Sequence, residues 1–437
     1  TIGGCGKTVA LASGASQTGF GRTGTVDWQT TVKTSGFTAS DGEGYFLNTT
    51  SGGFTVNLPA GSAGSIVAFK DYANTWDTGN VTVAANGSDK IGGSSSNTVL
   101  STESQSVTLI FTDSTRGWLD IHDSTSNVVG AEFVTATGGT VTTSGDFKVH
   151  TFTGPGTFCV SSAGNAAGSN TVDYLVVAGG GAGGKAPTSN DGAGAGGGGG
   201  FRLSNSTSMP APLTSPLAAA SGQPVTATGF PITVGAGASA APGRGDNGSD
   251  SIFSVITSAG GGGGGTYPDD GTVSKGRDGG SGGGGSGGNS SGPTSAGGTG
   301  NTPPVSPPQG QSGGGGSISP NFYGGGGGGA GGVGDPGDSP ATDGGVGSFV
   351  VSAGFAGCNG TPGPVGSARF FSGGGAGAPA PSRPTGKGGT GGAGGGGPSL
   401  GPTAGTANTG GGGAGGRSGN SGEAGGSGIV IIRYKFQ

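Results

Sequence analysis

The stretch GIVIIRYKF (428–436) is a dense apolar run that follows a long glycine-rich region. A second run of similar length and character, TVDYLVVA (171–178), stands just before that region begins. A continuous apolar run of this length is typical of a strand whose two faces are both covered. We therefore predict that the two runs are neighbouring strands of one sheet, and that the glycine-rich region is an insertion between them.

The composition is far from that of an ordinary globular protein. Glycine accounts for 115 of 437 residues, about a quarter of the chain, whereas average proteins contain roughly 7%. Charged residues make up only 9%, and the net charge is −5 with no basic cluster. Nucleic acid is disfavoured as a partner, because its phosphates need a surface rich in Lys and Arg.

Short strands dominate the first 178 residues, and amphipathic helix patterns are nearly absent. In FTVNLP the period-2 pattern predicts that Phe54, Val56 and Leu58 face inward. Regularly spaced strands separated by turn residues indicate a small sandwich or barrel, which we place at 27–126. Residues 1–26 are small and polar, and we interpret them as a linker or a partner-dependent segment. The predicted strands are WQTTVKT, GYFLNTT, FTVNLP, SIVAFKDYA, NVTVAA, VTLIFTD and GWLDIHD.

A second β-sandwich module is predicted from residues 131–178 together with 428–437. Its segment GDFKVHTFTGPGTFCV (145–160) is interpreted as a hairpin with GPG at the turn. The two histidines, His122 and His150, fall at alternating polar positions of strands and are predicted to lie on the surface. Cys159 is predicted to be a small core residue, and Cys358 a small residue next to a turn.

The glycine-rich insertion, residues 179–427, allows two interpretations. Its composition is that of a flexible Gly/Ser linker. Alternatively, its tracts form a packed array of polyglycine II helices, which resemble polyproline II with three residues per turn. There is no strict Gly-X-Y repeat, so a collagen triple helix is excluded.

The pattern of the tracts favours the ordered array. They are separate and similar in size, and their interruptions are Ala and Ser, the smallest alternatives to glycine. Short strands are embedded in FPITVGAG and SIFSVITSAGG, and aromatic turn segments such as TYPDDGTVSK, SISPNFY and ARFFS have no role in a flexible linker. The predicted fold class is therefore all-β, with β-sandwich modules and an ordered glycine-rich insertion.

No catalytic constellation, metal site or cofactor motif is recognisable, and we predict that the chain is not an enzyme. The three cysteines are far apart and form no CxxC pair. Arg244-Gly245-Asp246 matches an adhesion tripeptide, but in a glycine-rich chain a turn is the simpler interpretation. TIGGCGKT at the start departs from the phosphate-binding loop, since the first glycine of that motif is replaced by Thr1.

Two groups of segments resemble tail fibres of marine phages, particularly cyanophages. TSGFTASDGEGYFLNTTSGGFTVNLP, SIVAFKDYANTWDTGNVTVAANGS and STRGWLDIHDST are similar to a module of such fibres. FTGPGTFCVSSAGNAAGSNTVDYLVVAGGG, DSIFSVITSAGGGGGG and GGSGIVIIRY resemble their glycine-rich domain, and the array is similar in kind to the polyglycine sandwich of tail-fibre tip adhesins.

The resemblance implies a structural and adhesive virion protein of the tail fibre that acts outside the cell. Its expected partners are a host-surface polysaccharide or outer-membrane protein and other tail proteins, and its expected state is a homotrimer. Loops between glycine tracts are expected to form the receptor-binding tip, because a rigid scaffold can present variable loops. Aromatic rings and their polar neighbours in those loops are the candidate contacts. The candidates are Tyr267, Asp269, Asp270, Phe322, Tyr323, Arg369 and Phe370.

Two other functions remain open at this point. An extracellular structural fibre or matrix protein without a discrete receptor would have the same composition. A polysaccharide-degrading spike is the weaker alternative, because it needs a carboxylate cluster on a long β-helix and no repeat of that kind is visible.

Overall fold

The computed structural model is an all-β protein of two compact units, Thr1–Val129 and Gly130–Gln437. No helix in the described part is long and apolar enough to cross a membrane. The structure describes residues 26–124, 132–165, 168–187, 191–204, 215–267, 274–288, 295–318, 322–338, 342–380 and 389–437.

The first unit contains all seven predicted strands and two shorter ones. They form a five-stranded sheet in the order β1-β3-β5-β8-β9 and a four-stranded sheet in the order β2-β4-β6-β7. The strands are β1 Asp27–Lys33, β2 Phe37–Thr38, β3 Glu43–Leu47, β4 Phe54–Asn57, β5 Ile66–Asp71, β6 Val81–Ala84, β7 Thr98–Leu100, β8 Ser106–Phe111 and β9 Trp118–Ser124.

The first six strands alternate between the two sheets, and their neighbours within each sheet are parallel. The chain therefore winds in short stacked coils before β7, β8 and β9 close the sheets with antiparallel pairs. Val56 and Leu58 are fully buried in the core between the sheets, and Phe54 packs against it, as predicted. At one corner Gly53 approaches the next coil so closely that a Cβ would lie 2.3 Å from the Asn80 carbonyl oxygen.

The second unit contains the remaining strands and a π-helix, Ser352–Ala356. They form sheets in the orders β10-β13-β18-β19-β20, β11-β12-β24-β14-β15-β16 and β21-β23-β22, and β17 pairs with β14. The strands are β10 Val134–Thr137, β11 Thr140–Ser144, β12 Phe147–Phe152, β13 Gly156–Ala163, β14 Thr171–Val177, β15 Phe201–Ser204, β16 Ala218–Ala219, β17 Gln223–Pro224, β18 Gly229–Thr233, β19 Ser251–Phe253, β20 Ile256–Ser258, β21 Ser348–Val350, β22 Thr361–Pro362, β23 Arg369–Phe371 and β24 Ile429–Lys435.

The predicted pairing of the two apolar runs is confirmed. β24 is antiparallel to β14, in the register Asp173↔Arg433 to Val177↔Ile429, and its other edge pairs with β12. Its side chains alternate between two cores. Val430, Ile432 and Tyr434 pack toward the sheet that contains β13, whereas Ile429 and Ile431 pack on the opposite face. Because both faces of this central strand are covered, its sequence is apolar at consecutive positions.

The predicted hairpin at 145–160 is wrong. Both edges of β12 are occupied, by β11 and β24, and β13 pairs instead with β10 and β18. The GPG segment therefore connects two sheets that pack face to face. Phe158 and Val160 face the core between these sheets, so Cys159 between them faces outward and is exposed, contrary to the prediction.

His122 is exposed as predicted, but the prediction for His150 is wrong. His150 lies on the internal strand β12 and is fully buried, with its ring stacked on Tyr434. Nδ1 donates to the Gly138 carbonyl oxygen at 2.7 Å, and Nε2 accepts from the Tyr434 hydroxyl at 3.2 Å. Burial lowers the pKa of His150 below its ordinary value of 6.5, and the charge of Lys148 lowers it further.

We expect the second unit to lose stability as the pH falls below 6.5. The unfolded chain binds a proton at His150 in this range while the folded chain resists it, because the pKa is lower in the folded state. Thermal melting between pH 7.5 and 5 should show this dependence in the wild-type chain and in the exposed control His122→Gln. In His150→Gln the slope should be smaller, and an unchanged slope would assign the dependence to other groups.

The glycine-rich region carries an extended network of hydrogen bonds between tracts. Residues 191–200, which we call the central tract, are all buried. From Gly192 to Gly200, every N–H group donates to a carbonyl oxygen of another tract, at 2.7–3.2 Å. The acceptors rotate with a period of three residues: consecutive donors bond to tracts 322–328, 410–416 and 259–265, and the cycle then repeats.

The carbonyl groups of the central tract accept from three further tracts. Residues 178–184 donate to the carbonyls of Gly194, Gly197 and Gly200. Residues 281–287 donate to those of Gly192, Ala195 and Gly198, and residues 375–378 donate to those of Ala193 and Gly196. The central tract is thus bonded to six neighbours. From Gly192 to Gly200 every N–H group and every carbonyl except that of Gly199 is bonded to another part of the backbone, so a segment nearly devoid of side chains can be buried.

Candidate receptor-binding site

The central tract defines two ends of the array. At one end Gly200 runs directly into β15, and Ala178, which follows β14, bonds to its carbonyl. At the other end, near Gly192, the described residues on either side of the gap before the tract, 179–187 and 191–200, contain no strand. We call this the distal end of the array.

Three of the predicted contact residues lie at the distal end. Tyr267 is half-buried and follows Thr266, whose hydroxyl donates to the Lys185 carbonyl oxygen at 2.6 Å. Phe322 is half-buried, and its carbonyl accepts from the Gly192 N–H at 3.1 Å. Tyr323 is only 4% exposed.

Local geometry explains why these two adjacent aromatic residues differ in exposure. Phe322 has a φ of 55°, a left-handed conformation that turns the chain as it enters the tract. The backbone of the next residue, Tyr323, is held by two hydrogen bonds to Ser317. The Tyr323 N–H donates to the Ser317 hydroxyl, and the Ser317 N–H donates to the Tyr323 carbonyl oxygen, both at 2.9 Å. The Tyr323 ring is therefore enclosed in the array, and Phe322 is the more accessible of the pair.

Arg369 and Phe370 lie elsewhere, on β23, which belongs to the three-stranded sheet. The Arg369 guanidinium donates to the carbonyl oxygens of Cys358, Asn359 and Gly360 at 2.6–2.9 Å. Phe370 is buried, with its ring centroid 5.3 Å from that of Phe349. The structure therefore does not bring these two residues to the distal end, and it gives both of them contacts within the chain.

Asp269 and Asp270 lie outside the described residues. Their prediction rests on their place in the sequence, directly after Tyr267 in a segment between two tracts.

The distal end also contains charged residues that sequence reasoning missed. Lys185, Asp191 and Arg417 each adjoin a glycine tract at this end, and Gly192 forms an isolated β-bridge with Arg417. The sequence signal that could have identified these residues is their position directly at the boundary of a glycine tract. The aromatic candidates are therefore accompanied by charges of both signs.

An acidic pair lies beside tract 322–328, whose Gly326 N–H donates to the Asp335 carbonyl oxygen. The Asp335 N–H donates to the Asp343 carbonyl oxygen at 3.0 Å, and both side chains are half-buried. Burial raises the pKa of Asp335, and the nearby Asp343 carboxylate raises it further. The carboxylate of Asp343 is fixed in turn, because it accepts hydrogen bonds from the N–H and hydroxyl of Thr390.

The Arg-Gly-Asp tripeptide is built into the side of the array. Gly245 is buried and donates to the Gly264 carbonyl oxygen at 2.8 Å. The Asp246 carboxylate lies 3.3 Å from the guanidinium of Arg277. The Asp246 side chain is 67% exposed, but the glycine before it is buried and bonded to a neighbouring tract, so the tripeptide does not form a freely projecting loop.

Two family models match the chain. A model described as "Bacteriophage T4 gp9/10-like protein, N-terminal" matches residues 6–122, and a model described as "Glycine-rich domain" matches residues 153–435. A search of curated proteins finds no match. Together the two models point to phage tail-fibre-like proteins, in agreement with the coarser part of the resemblance.

The second match extends from Thr153, the residue after β12, through the glycine tracts to the last residue of β24. It covers well over half of the 437 residues and includes both strands that bracket the tracts. The chain belongs to the glycine-rich domain family.

Proposed function

We propose that this chain is an adhesive component of a phage tail fibre that recognises the bacterial surface through the distal end of its glycine-rich domain. The observation that carries the proposal is the six-neighbour packing of the central tract. It ties the ends of many tracts to one another and so holds the segments between them on a common support. A receptor site composed of such segments varies in sequence without disturbing its support.

The tracts themselves are proposed to be polyglycine II helices in a packed array. The support is the donor period of three residues along the central tract, which equals the three residues per turn of polyproline II. Six neighbours around one tract agree with such helices packed side by side. With about 3.1 Å of rise per residue, a nine-residue tract spans about 28 Å between the sheet and the distal end.

Tyr267 and Phe322 are the proposed aromatic contacts, together with Asp269 and Asp270. Aromatic rings are suited to a polysaccharide or an outer-membrane protein, because they stack on sugar rings and anchor protein interfaces. Tyr323 and Phe370 are buried, so any contribution they make to binding is through packing. Arg369 acts on the shape of the loop whose carbonyl groups it holds.

The remaining proposals concern assembly. The match to the T4 gp9/10-like model supports contact of residues 6–122 with other tail proteins. A homotrimer, a place on the virion outside the cell and a cyanophage-type origin follow from the resemblance to tail fibres. The boundaries at 27–126, 131–178 with 428–437, and 179–427 remain predictions, and strands β15 to β23 lie within the proposed insertion.

Binding to host cells tests the adhesin proposal. We expect the fluorescently labelled full-length chain to bind susceptible bacteria saturably, and an excess of unlabelled chain to compete. The variant Tyr267→Ala with Asp269→Ala and Asp270→Ala should bind at least tenfold more weakly, because it removes a ring at the distal end and the two charges that follow it in the sequence.

The matched control is Tyr72→Ala, which removes a tyrosine that is 58% exposed in the first unit. It should bind as the wild-type chain does. If the wild-type chain binds none of the strains that a virion carrying it infects, the adhesin proposal fails and a purely structural fibre remains.

A further inference from the structure

A groove of about 650 Å³ lies on the second unit, between strands β11 and β12 and residues 354–359, which comprise the end of the π-helix and the turn after it. It involves none of the distal-end residues. β11 is an edge strand of its sheet and is largely exposed, so the groove has an open side along this strand.

The sheet side of the groove presents a regular set of hydroxyl groups. Thr140 and Thr142 share one face of β11, and Thr151 lies directly opposite Thr140 on β12. Ser144 and Thr153 extend the set at either end. Among the described residues, none of these five hydroxyls has a hydrogen-bond partner.

The loop side is held in place from behind. Arg369 fixes the carbonyl groups of Cys358 and Asn359, and the Asn359 side chain donates to the Ala356 carbonyl oxygen at 2.9 Å. Phe355 is 2% exposed, and the guanidinium of Arg433 lies 4.7 Å from its ring centroid. A groove with such a supported wall loses little conformational entropy when a ligand binds.

The chemistry of the lining restricts the ligand. Every described residue that lines the groove is uncharged, so nothing there would compensate a phosphate, a carboxylate or an ammonium group. Hydroxyl groups both donate and accept hydrogen bonds, as the hydroxyls of a sugar do. Val149, Phe355 and Ala356 close the groove with apolar side chains that are only 1–3% exposed, so the hydroxyl groups supply most of the contacts open to a sugar.

We propose that this groove binds a segment of a neutral polysaccharide chain. The volume lies in the range of small-molecule binding sites, and the open side along β11 lets a longer polymer pass through. The site is separate from the distal end, so it would give the chain a second contact with a glycan-coated surface.

Titration calorimetry of the full-length chain tests this proposal. The probes are maltohexaose, cellohexaose and mannohexaose, with hexagalacturonate as the charged counterpart. We expect saturable binding of at least one neutral hexasaccharide, and binding of hexagalacturonate at least tenfold weaker than that. Absence of binding by all three neutral probes would overturn the proposal, as would equal binding of the charged one.

Variants locate the site. Thr140→Val, Thr142→Val and Thr151→Val combined remove three hydroxyls but keep the shape and the strand preference of the side chains. Affinity should fall at least tenfold. Thr143→Val, on the opposite face of β11, is the matched control and should leave affinity unchanged. Equal loss in both variants, or in neither, would place the ligand elsewhere.

Alkylation of the cysteines gives a second measurement that depends on neither variant. Cys358 lines the groove and Cys159 does not, and both thiols are exposed. Saturating oligosaccharide should slow alkylation at Cys358 at least fivefold, measured by peptide mapping, and leave Cys159 unchanged. Equal rates at Cys358 with and without the oligosaccharide would contradict binding in this groove.

Discussion

Gly196→Ala is expected to lower the free energy of unfolding of the second unit by about 3 kcal/mol or more. Gly196 lies in the middle of the central tract, where an added Cβ would be 2.0 Å from the Gly181 carbonyl oxygen. The atom it would meet belongs to the backbone of a neighbouring tract, so no flexible side chain can move aside. One tract must shift, and the shift strains bonds that Gly196 makes to two others, Gly413 and Gly375.

The size of the effect follows from two contributions. Overpacking a close-packed interior costs about 1–3 kcal/mol, and a buried backbone group left without its partner costs about 1–3 kcal/mol more. Chemical denaturation followed by far-ultraviolet circular dichroism measures the sum.

The matched control is Gly243→Ala, in the same glycine-rich region. A Cβ at Gly243 would meet nothing within 4 Å, and its φ is not in the left-handed range. The free energy of unfolding should change by less than about 1 kcal/mol. If the two variants were equally stable, the tracts would not be packed as the hydrogen bonds indicate.

Hydrogen exchange adds a readout along the chain. In the wild-type protein the N–H groups of 192–200 should exchange slowly, because each is bonded and buried. In Gly196→Ala they should exchange faster, together with those of 178–184. Rapid exchange throughout the wild-type tracts would instead agree with a flexible linker.

The second large effect is expected at the ion pair of Asp173 and Arg433. Their side chains are 3% and 5% exposed, and Nη2 of Arg433 donates to the Asp173 carboxylate at 2.6 Å. The guanidinium lies between the rings of Phe147 and Phe355, 4.6 and 4.7 Å from their centroids. Asp173→Asn keeps the shape of the side chain but leaves a buried positive charge uncompensated, which typically costs about 3–5 kcal/mol.

A double variant separates the charge from the packing. In Asp173→Asn with Arg433→Met no charge remains, and the long methionine side chain can still lie between the two rings. Because a buried ion pair is often no more stable than uncharged residues of similar volume, most of the lost stability should return. Equal losses in the single and double variants would show that the pair acts through its geometry and not through its charge.

The pairing of β14 with β24 could be predicted from their sequences because both strands are covered on two faces. Each apolar run is a local signal of a strand covered on both faces. The similar length of the two runs correctly predicts that the glycine-rich region returns to the sheet it left. The period-2 alternation of FTVNLP likewise predicted correctly that Val56 and Leu58 face the core of the first unit. It could not distinguish parallel coils from hairpins, since the facing of side chains is the same in both.

The errors at 145–160 and at His150 have one cause. A turn-forming segment such as GPG shows that the chain reverses but not whether the two strands pair or enter different sheets. β12 is already paired on both edges, one of them with a strand about 280 residues later in the sequence. That distant pairing makes β12 an internal strand and buries His150.

For the candidate contact residues, too, the sequence predicted position better than exposure. Tyr267, Phe322 and Tyr323 are aromatic residues between tracts, and all three lie at the distal end. Exposure could not be predicted from residue type, because Tyr323, whose backbone is held by Ser317, is buried while the adjacent Phe322 is half-buried. Arg369 and Phe370 belong to a sheet whose strands are brought together only by the tertiary fold.

The sequence by itself determined the approximate positions of the long strands and of the glycine tracts, because these depend on residues close in the chain. Only the tertiary structure decided which tract bonds to which. Glycine has no side chain with which to select a neighbour, so the partners of Gly196 are specified by the register of strands at the base of the array and by the lengths of the segments between tracts. The central tract is recognisable only once its six neighbours are in place.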